Sequence, residues 1–290
     1  MKNILIAGAN SYLGTSFENY MKKFSDGYLI ETVDMVDGSW RNKDFSPFDV
    51  VYLVAGISHI KETSENARLY YKVNRDLIVE VAEKAKVEGV KQIIFLSSMS
   101  VYGKSEGEIT EQTIPIPVSN YGKSKYQAEE KLINMSGNNF FVAVLRLPVV
   151  YGKGCKGSYQ TLSKWAKRMP VFPKVNNTRS MLFVDNLSAF VKKLIDKKAQ
   201  GYFYPQNREY VCVSEMVREI ACADGQKIWI TSLFNPFVKI GIRLGLSYFT
   251  KAFGNLVYTY RKDSIDEVDF KTSVKMSERG GREAWKAKEI

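Results

Sequence analysis

Two short stretches of the chain hold residue types that could move a proton together. They are Ser97-Ser98-Met99-Ser100-Val101-Tyr102-Gly103 and Tyr121-Gly122-Lys123-Ser124-Lys125. On a helix, a Tyr and a Lys four apart share one face, which brings an ammonium to a phenol. A nearby cation favours the phenolate, so the Tyr121 pKa is expected to fall from about 10 toward neutrality. A Ser98 hydroxyl, delivered by a preceding strand, can hydrogen-bond the same substrate oxygen. The set is a proton-transfer device for an alcohol or sugar hydroxyl. The same Tyr-to-Lys spacing recurs at Tyr258 and Lys262. No Ser-bearing strand precedes that copy, so Ser98, Tyr121 and Lys125 are the candidate catalytic residues.

Such a set needs a strand ending at Ser98 and a helix starting near Tyr121. The chain supplies both within a longer alternation. Asn3 to Gly8 reads as a buried strand, Ser11 to Phe24 as a helix and Tyr28 to Val33 as a second strand. The join Gly8-Ala9-Asn10-Ser11-Tyr12-Leu13-Gly14 is a Gly-rich turn into a helix, whose N-terminal amides suit a pyrophosphate. Ser11 stands where the pattern's middle glycine belongs. Asp34 follows the second strand; a carboxylate there accepts hydrogen bonds from an adenosine ribose and repels a 2′-phosphate. No Arg or Lys follows directly, so NAD is expected rather than NADP. Asp49 to Val54 is a third strand running into Ala55-Gly56. Thr63 to Val87 reads as one long helix, Gln92 to Leu96 as a strand, Asn120 to Met135 as a helix and Phe140 to Leu147 as a strand.

This alternation predicts an α/β fold, a doubly wound parallel Rossmann sheet with a smaller mixed C-terminal substrate domain. Residues 1–150 are expected to form the NAD-binding domain, with elements near 183–206 returning to it. Residues 151–182 and 207–290 are expected to form the substrate-binding domain. Ligands of such sheets bind beyond the strands' carboxyl ends. Gly8, Asp34, Gly56 and Ser98 each close a strand at that edge.

Composition narrows the function. The net charge is +11, and it sits in two acid-free blocks, 131–184 and 226–262, which carry nine and six Lys or Arg. The first block has no nucleic-acid motif or interleaved aromatic pattern, and no nucleic-acid partner is expected. With one histidine, His59, and three cysteines lacking Cys-x-x-Cys spacing, no metal site or His-based triad is expected. His59 itself reads as structural or solvent-facing. Cys155, among lysines, reads as a small buried side chain on a loop. The start Met1-Lys2-Asn3 runs straight into an apolar strand, so a cytoplasmic protein is expected.

With these pieces assembled, the chain resembles the extended short-chain dehydrogenase/reductase family, in its NAD-dependent nucleotide-sugar epimerase/dehydratase branch. The matching segments are Gly8 to Gly14, Asp34, Asp49 to Gly56, Asn74, Ser97 to Gly103, Tyr121 to Lys125, Arg146 to Gly152 and Arg179 to Asp185. The resemblance implies that Ser98, Tyr121 and Lys125 do the chemistry. It implies cofactor contacts from Gly8, Asn10, Ser11, Tyr12, Leu13, Gly14, Asp34, Val54, Ala55, Gly56, Asn74, Ser97, Tyr121, Lys125 and Pro148. It implies substrate contacts from Ser98, Ser100, Tyr102 and Arg179, with Arg179 on the diphosphate of a nucleotide-diphosphate sugar. UDP-galactose 4-epimerases carry Asn where this chain has Val149, and here the segment looks more like that of a bacterial polysaccharide-biosynthesis subgroup acting on UDP-N-acetylhexosamines or related sugars, so the implied substrate is a UDP-hexose or UDP-N-acetylhexosamine. The implied activity is 4-epimerisation through a transient 4-keto sugar. A nucleotide-4-keto-sugar reductase would use the same residues, and a non-catalytic NAD-binding regulator is the third reading. A homodimer is implied, through the helices 63–87 and 120–135.

The second basic block contains an amphipathic stretch, 236–252. Drawn as one helix, it places Lys239, Arg243, Ser247 and Thr250 on one face and Phe237, Ile240, Leu244 and Tyr248 on another. Packing of that apolar face on the core is the preferred reading, because Gly241 and Gly245 weaken a free-standing helix. Peripheral contact with an anionic membrane is the alternative.

Overall fold

Runs of β-branched and aromatic residues, punctuated by Gly, alternate with helical patterns from the first residue onward, and each becomes an element. In the computed structural model, which describes residues 1–58, 60 and 62–279, the chain begins β1 (Lys2–Ala7), α1 (Tyr12–Met21), β2 (Tyr28–Val33), β3 (Val50–Leu53), α2 (Ala67–Tyr71) and α3 (Ile78–Val87). It continues β4 (Gln92–Ser98), β5 (Gly107–Ile109), α4 (Asn120–Met135), β6 (Phe141–Leu147), β7 (Val149–Tyr151), α5 (Ser158–Arg168), β8 (Val171–Pro173) and β9 (Met181–Phe183). Then come α6 (Val184–Asp196), β10 (Gly201–Phe203), β11 (Gln206–Asn207), α7 (Val213–Ala223), β12 (Trp229–Thr231) and α8 (Asn235–Arg243). The last elements are α9 (Ser247–Phe253), β13 (Leu256–Tyr258), β14 (Ser264–Ile265) and α10 (Phe270–Arg279). His59 lies outside the described residues.

The chain divides into two compact units. The first takes residues 1–103, 114–147 and 187–205. Its sheet has the order β10-β6-β4-β3-β1-β2, and every pairing is parallel. The order reverses between β1 and β3, which opens a crevice beyond their carboxyl ends. Strand residues alternate between two buried faces. Leu5, Val51, Phe95 and Val144 pack with Ile78, Ala82, Ala128 and Leu132 of α3 and α4. On the opposite face Phe17 of α1 meets the ring of Tyr52 edge-on at 4.9 Å.

The helix expected over 63–87 is broken. It starts at Ala67, and residues Lys72–Leu77 form a π-helical turn between α2 and α3. That turn carries Asn74 into the interior, where it is fully buried.

The second unit takes residues 104–113, 148–186 and 206 onward. It is built from two-stranded parallel pairs, β7 with β9, β5 with β13, β11 with β14 and β8 with β12. Its helices carry a polar lock: Lys167 of α5 pairs with Glu278 of α10 at 2.7 Å, and Tyr159 donates to the same carboxylate at 2.8 Å. Cys155 is buried, and burial pushes its thiol pKa up, in keeping with a small interior side chain. Tyr258 ends a strand rather than starting a helix, so it shares no helix face with Lys262.

The amphipathic stretch 236–252 departs from expectation twice. It is two helices, because Gly245 adopts a left-handed φ of 66° and closes α8. The Gly245 N–H donates to the Ile242 carbonyl and the Leu246 N–H to that of Gly241, which caps the last carbonyls. The side that packs on α8 is neither of those two faces. Val238 and Gly241 are buried, whereas Phe237, Ile240 and Leu244 are 69%, 56% and 69% exposed.

Candidate active site

Strand β4 runs out at Ser97 and Ser98, opposite Arg146 and Leu147 of β6. The chain then turns through Met99–Tyr102, with the Ser98 Oγ accepting from the Ser100 N–H at 3.1 Å. Helix α4 starts against this turn. Ser119 caps it, accepting from the Gly122 N–H at 3.0 Å. A Cβ on Gly122 would stand 2.6 Å from the Ser100 carbonyl oxygen, so only glycine lets the first turn of α4 approach this closely. The approach brings the end of β4 at Ser98 to the start of α4, near enough that the Ser98 side chain acts on the Tyr121 phenol.

Tyr121 and Lys125 share a face of α4, as their spacing requires. Their electrostatics differ from expectation. Burial raises the Tyr121 pKa, and the Ser98 hydrogen bond offsets this only in part. The chain alone therefore holds Tyr121 as a phenol at neutral pH. Lys125 is buried; its Nζ donates to the Leu96 carbonyl at 2.9 Å and lies 4.7 Å from the centre of the Phe95 ring. Burial pulls the Lys125 pKa down to about 8, against an upward pull from Glu129. The ammonium that was expected to activate Tyr121 is thus itself short of hydration.

Beneath Lys125 lies a buried ionic network that sequence reasoning missed. Glu129, one turn further along α4, accepts from Arg146 Nη2 at 2.7 Å and from its Nε at 3.1 Å. The Ser97 hydroxyl donates to the same carboxylate. Arg146 Nη1 donates to the Tyr102 hydroxyl at 2.8 Å, and the guanidinium lies 4.4 Å from the Tyr202 ring centre. Burial alone would weaken the Arg146 charge, but the hydrogen bonds and charge of Glu129 more than reverse that and raise its pKa. The sign of this signal was available, since Glu129 is a second four-residue step after Tyr121. Nothing in the sequence marks it as interior.

This network engages two residues expected at the ligands. Ser97, expected at the cofactor, donates its hydroxyl proton to Glu129. Tyr102, expected at the substrate, is buried with its hydroxyl bonded to Arg146. Asn74, expected at the cofactor, clamps the loop after β3. Its Oδ1 accepts from the Ile57 N–H at 2.9 Å, and its Nδ2 donates to the Ile57 carbonyl at 3.0 Å. Ser100 accepts from the Ser98 hydroxyl at 3.2 Å and stays in the site's wall.

The expected cofactor cradle lies at the ends of β1, β2 and β3. Gly8 has φ 130°, and a Cβ there would meet the Ala55 nitrogen and Val54 Cγ2 at 2.9 Å. Asn10 takes a left-handed φ of 62° to complete the turn. Ser11, the odd residue of the glycine pattern, caps α1 by accepting from the Gly14 N–H at 3.2 Å. The first turn, with Tyr12 and Leu13, presents helix N-terminal amides. Asp34 closes β2 and accepts from the Val36 N–H at 2.7 Å. Gly56 faces Lys125: a Cβ there would be 3.2 Å from its Nζ. The turn left open by Gly8, the helix terminus and the ribose-type carboxylate fit a dinucleotide. Pro148 is buried directly after β6.

Arg179 belongs to the second unit. Its backbone bridges to Val211, its Nη1 donates to the Gly254 carbonyl at 2.9 Å, and burial lowers its pKa.

Residues 4–212 match the NAD dependent epimerase/dehydratase family. The chain is 29% identical over 257 residues to UDP-glucose 4-epimerase of Vibrio cholerae, covering 79% of this chain and 77% of that protein. It is 28% identical over 258 residues to N-acetyl-alpha-D-glucosaminyl-diphospho-ditrans,octacis-undecaprenol 4-epimerase of Escherichia coli O157:H7, covering 82% and 77%. Among solved structures it is similar to UDP-glucuronic acid 4-epimerase from Bacillus cereus in complex with NAD. The TM-score is 0.66 at 20% identity, covering 86% of this chain and 94% of that one.

Proposed function

The chain belongs to the NAD dependent epimerase/dehydratase family, and from that premise we propose that it interconverts the C4 epimers of a diphosphate-activated hexose. The observation that carries this reading is the close approach of α4 to the end of β4 at Gly122, which sets Ser98 beside the first turn of the helix that carries Tyr121 and, one turn along the same face, Lys125. The two similar proteins act on sugars with different carriers, uridine diphosphate in one and undecaprenyl diphosphate in the other. A hexosyl diphosphate is what those names share, and a UDP-hexose or UDP-N-acetylhexosamine is the substrate proposed here.

NAD would lie against Gly8, Ser11 to Gly14, Asp34 and Val54 to Gly56, and when bound it supplies the hydride acceptor and donor for C4. Held as the phenolate by the positive charges of Lys125 and of bound NAD, Tyr121 would take the proton from the O4 hydroxyl as the C4 carbonyl forms and give it back in the return half. Ser98 donates to the same oxygen and holds its developing charge. Lys125 carries the positive charge that offsets the phenolate. Its burial leaves that charge poorly screened, so it acts strongly on a neighbouring anion. Arg179 is proposed to hold a substrate phosphate. A homodimer and a cytoplasmic site of action belong to the same proposal; sedimentation velocity and cell fractionation test them.

The test uses the purified protein without added cofactor, incubated with UDP-glucose and with UDP-N-acetylglucosamine and followed by proton NMR. The expected result is the galacto epimer at equilibrium. No epimer, with NADH consumed when a UDP-4-keto sugar is supplied, would replace the reading by a reductase. Silence in both arms would overturn it.

A further inference from the structure

Helix α8 is anchored on one side and bare on the other. Asn235 Nδ2, at its start, donates to the Lys174 carbonyl at 2.7 Å. Its buried side is Val238 and Gly241. A Cβ on Gly241 would stand 2.5 Å from the Phe249 ring, so α9 packs directly on the α8 backbone there. Leu233, Phe237, Ile240 and Leu244, spaced four, three and four residues apart, run along a different side. Each is more than half exposed, led by Leu233 at 73%. Trp229, 72% exposed, and Leu246 extend the apolar surface at its two ends in sequence. An exposed run of this kind marks an interaction surface.

The charges beside it say what kind. Lys239 and Arg243, one turn apart, occupy the adjoining sector of the same helix, and both are exposed. Lys227 and Lys251, also exposed, flank the segment. No Asp or Glu occurs between 226 and 262. A protein partner matched to this surface would need an apolar groove with an acidic rim. An anionic bilayer offers both at once, a hydrocarbon layer for Leu, Phe and Ile and phosphates for Lys and Arg, with Trp suited to the boundary. Among the described residues no helix is long and apolar enough to cross a membrane, so the contact is one of lying on the surface rather than spanning it.

We propose that α8, with Trp229 and Leu233 before it, docks the protein onto an anionic membrane surface, the apolar stripe entering the interface and Lys239 and Arg243 pairing with lipid phosphates. The full chain is floated with vesicles of phosphatidylcholine alone and of phosphatidylcholine with one-third phosphatidylglycerol, at low and physiological salt. Flotation with the anionic vesicles, weakened by salt, is expected. The double change Phe237→Ser/Ile240→Ser should cut the bound fraction about tenfold or more. Lys239→Glu/Arg243→Glu should remove the preference for anionic lipid and, if the first variant misfolds, tests the proposal by itself. Unchanged thermal unfolding and bound NAD verify each variant's fold. Absence of flotation at low salt, or flotation untouched by both variants, overturns the proposal. So does a wild-type oligomer that fails to float and that the Phe237→Ser/Ile240→Ser change dissociates, which would give the stripe to a second copy of the chain. The assay needs no turnover, so its failure leaves the proposed reaction standing.

Discussion

The first unit buries charge; the second exposes hydrocarbon. Lys125, Glu129 and Arg146 are each 5% exposed or less, whereas Leu233, Phe237 and Leu244 are each about 70% exposed. Both arrangements run against the ordinary partition of residues between interior and surface. They differ in what offsets the cost. Each of these three interior charges has a named partner: Leu96 for Lys125, Arg146 and Ser97 for Glu129, Tyr102 for Arg146. On α8 the stripe has none within the described chain. A buried charge with partners is a completed structure, and its value shows when a partner is removed. An exposed apolar stripe costs little to keep and gains its value only against something else.

The largest effect is expected where the buried site meets chemistry. Tyr121→Phe removes the hydroxyl that moves the proton and keeps the ring. Turnover should fall about a thousandfold, or about 4 kcal/mol of barrier, with NAD retention and thermal stability unchanged. A variant holding more than about a tenth of the wild-type rate would remove Tyr121 from the proposed mechanism.

Next in size is the ionic network. Glu129→Leu leaves the Arg146 guanidinium buried without its carboxylate, and urea unfolding should show a loss of about 3–5 kcal/mol. The double variant Glu129→Leu/Arg146→Met removes both charges and should recover most of it. If Glu129→Leu alone were neutral, the interior would not depend on this pair, and the contrast with α8 would collapse.

Lys125 gives a smaller effect with a pH signature. Its folded pKa of about 8 lies below the ordinary 10.5. The folded state therefore sheds the proton first, and between those values the unfolded chain holds more protons. Stability then rises with pH across that window. The cost of burying the charge is full below pH 8, about 3 kcal/mol from the size of the shift, and is gone above 10.5. Lys125→Met removes it, less about 1 kcal/mol for the Leu96 carbonyl left without a donor. The variant should be more stable than wild type at pH 7, inactive, and lose its advantage by pH 10.5.

The first unit was legible in the sequence to the extent that it depends on period and turn chemistry. Buried runs such as Ile4-Leu5-Ile6 became strands of the parallel sheet, and Gly8 became the close approach its position implied. Spacing along α4 placed Tyr121 beside Lys125. Spacing carries no information on dehydration, which in the chain alone pushes the Tyr121 pKa up. Glu129 reads as an ordinary helix charge, because its burial is set by Arg146 on a strand seventeen residues later. The π-helical turn at Asn74 leaves no periodic trace. On α8 the sequence offers two apolar sectors, Phe237 with Ile240 and Val238 with Gly241. The Phe249 ring, arriving from α9, covers the Gly241 side.

That covering yields the smallest predicted effects, and they separate the two sides of one helix. Gly241→Ala puts a methyl into the Phe249 ring and should cost about 1–3 kcal/mol through the strain of moving α9 away. Phe237→Ser, on the bare side, removes a larger group from contact with water alone and should change unfolding by no more than about 0.5 kcal/mol. Equal losses for the two would mean that Phe237 is covered in solution by part of the chain or by a second copy. A loss at Gly241 alone leaves the stripe with no role in holding the fold, and a side chain as large as Phe237 then contributes only when something outside the molecule covers it.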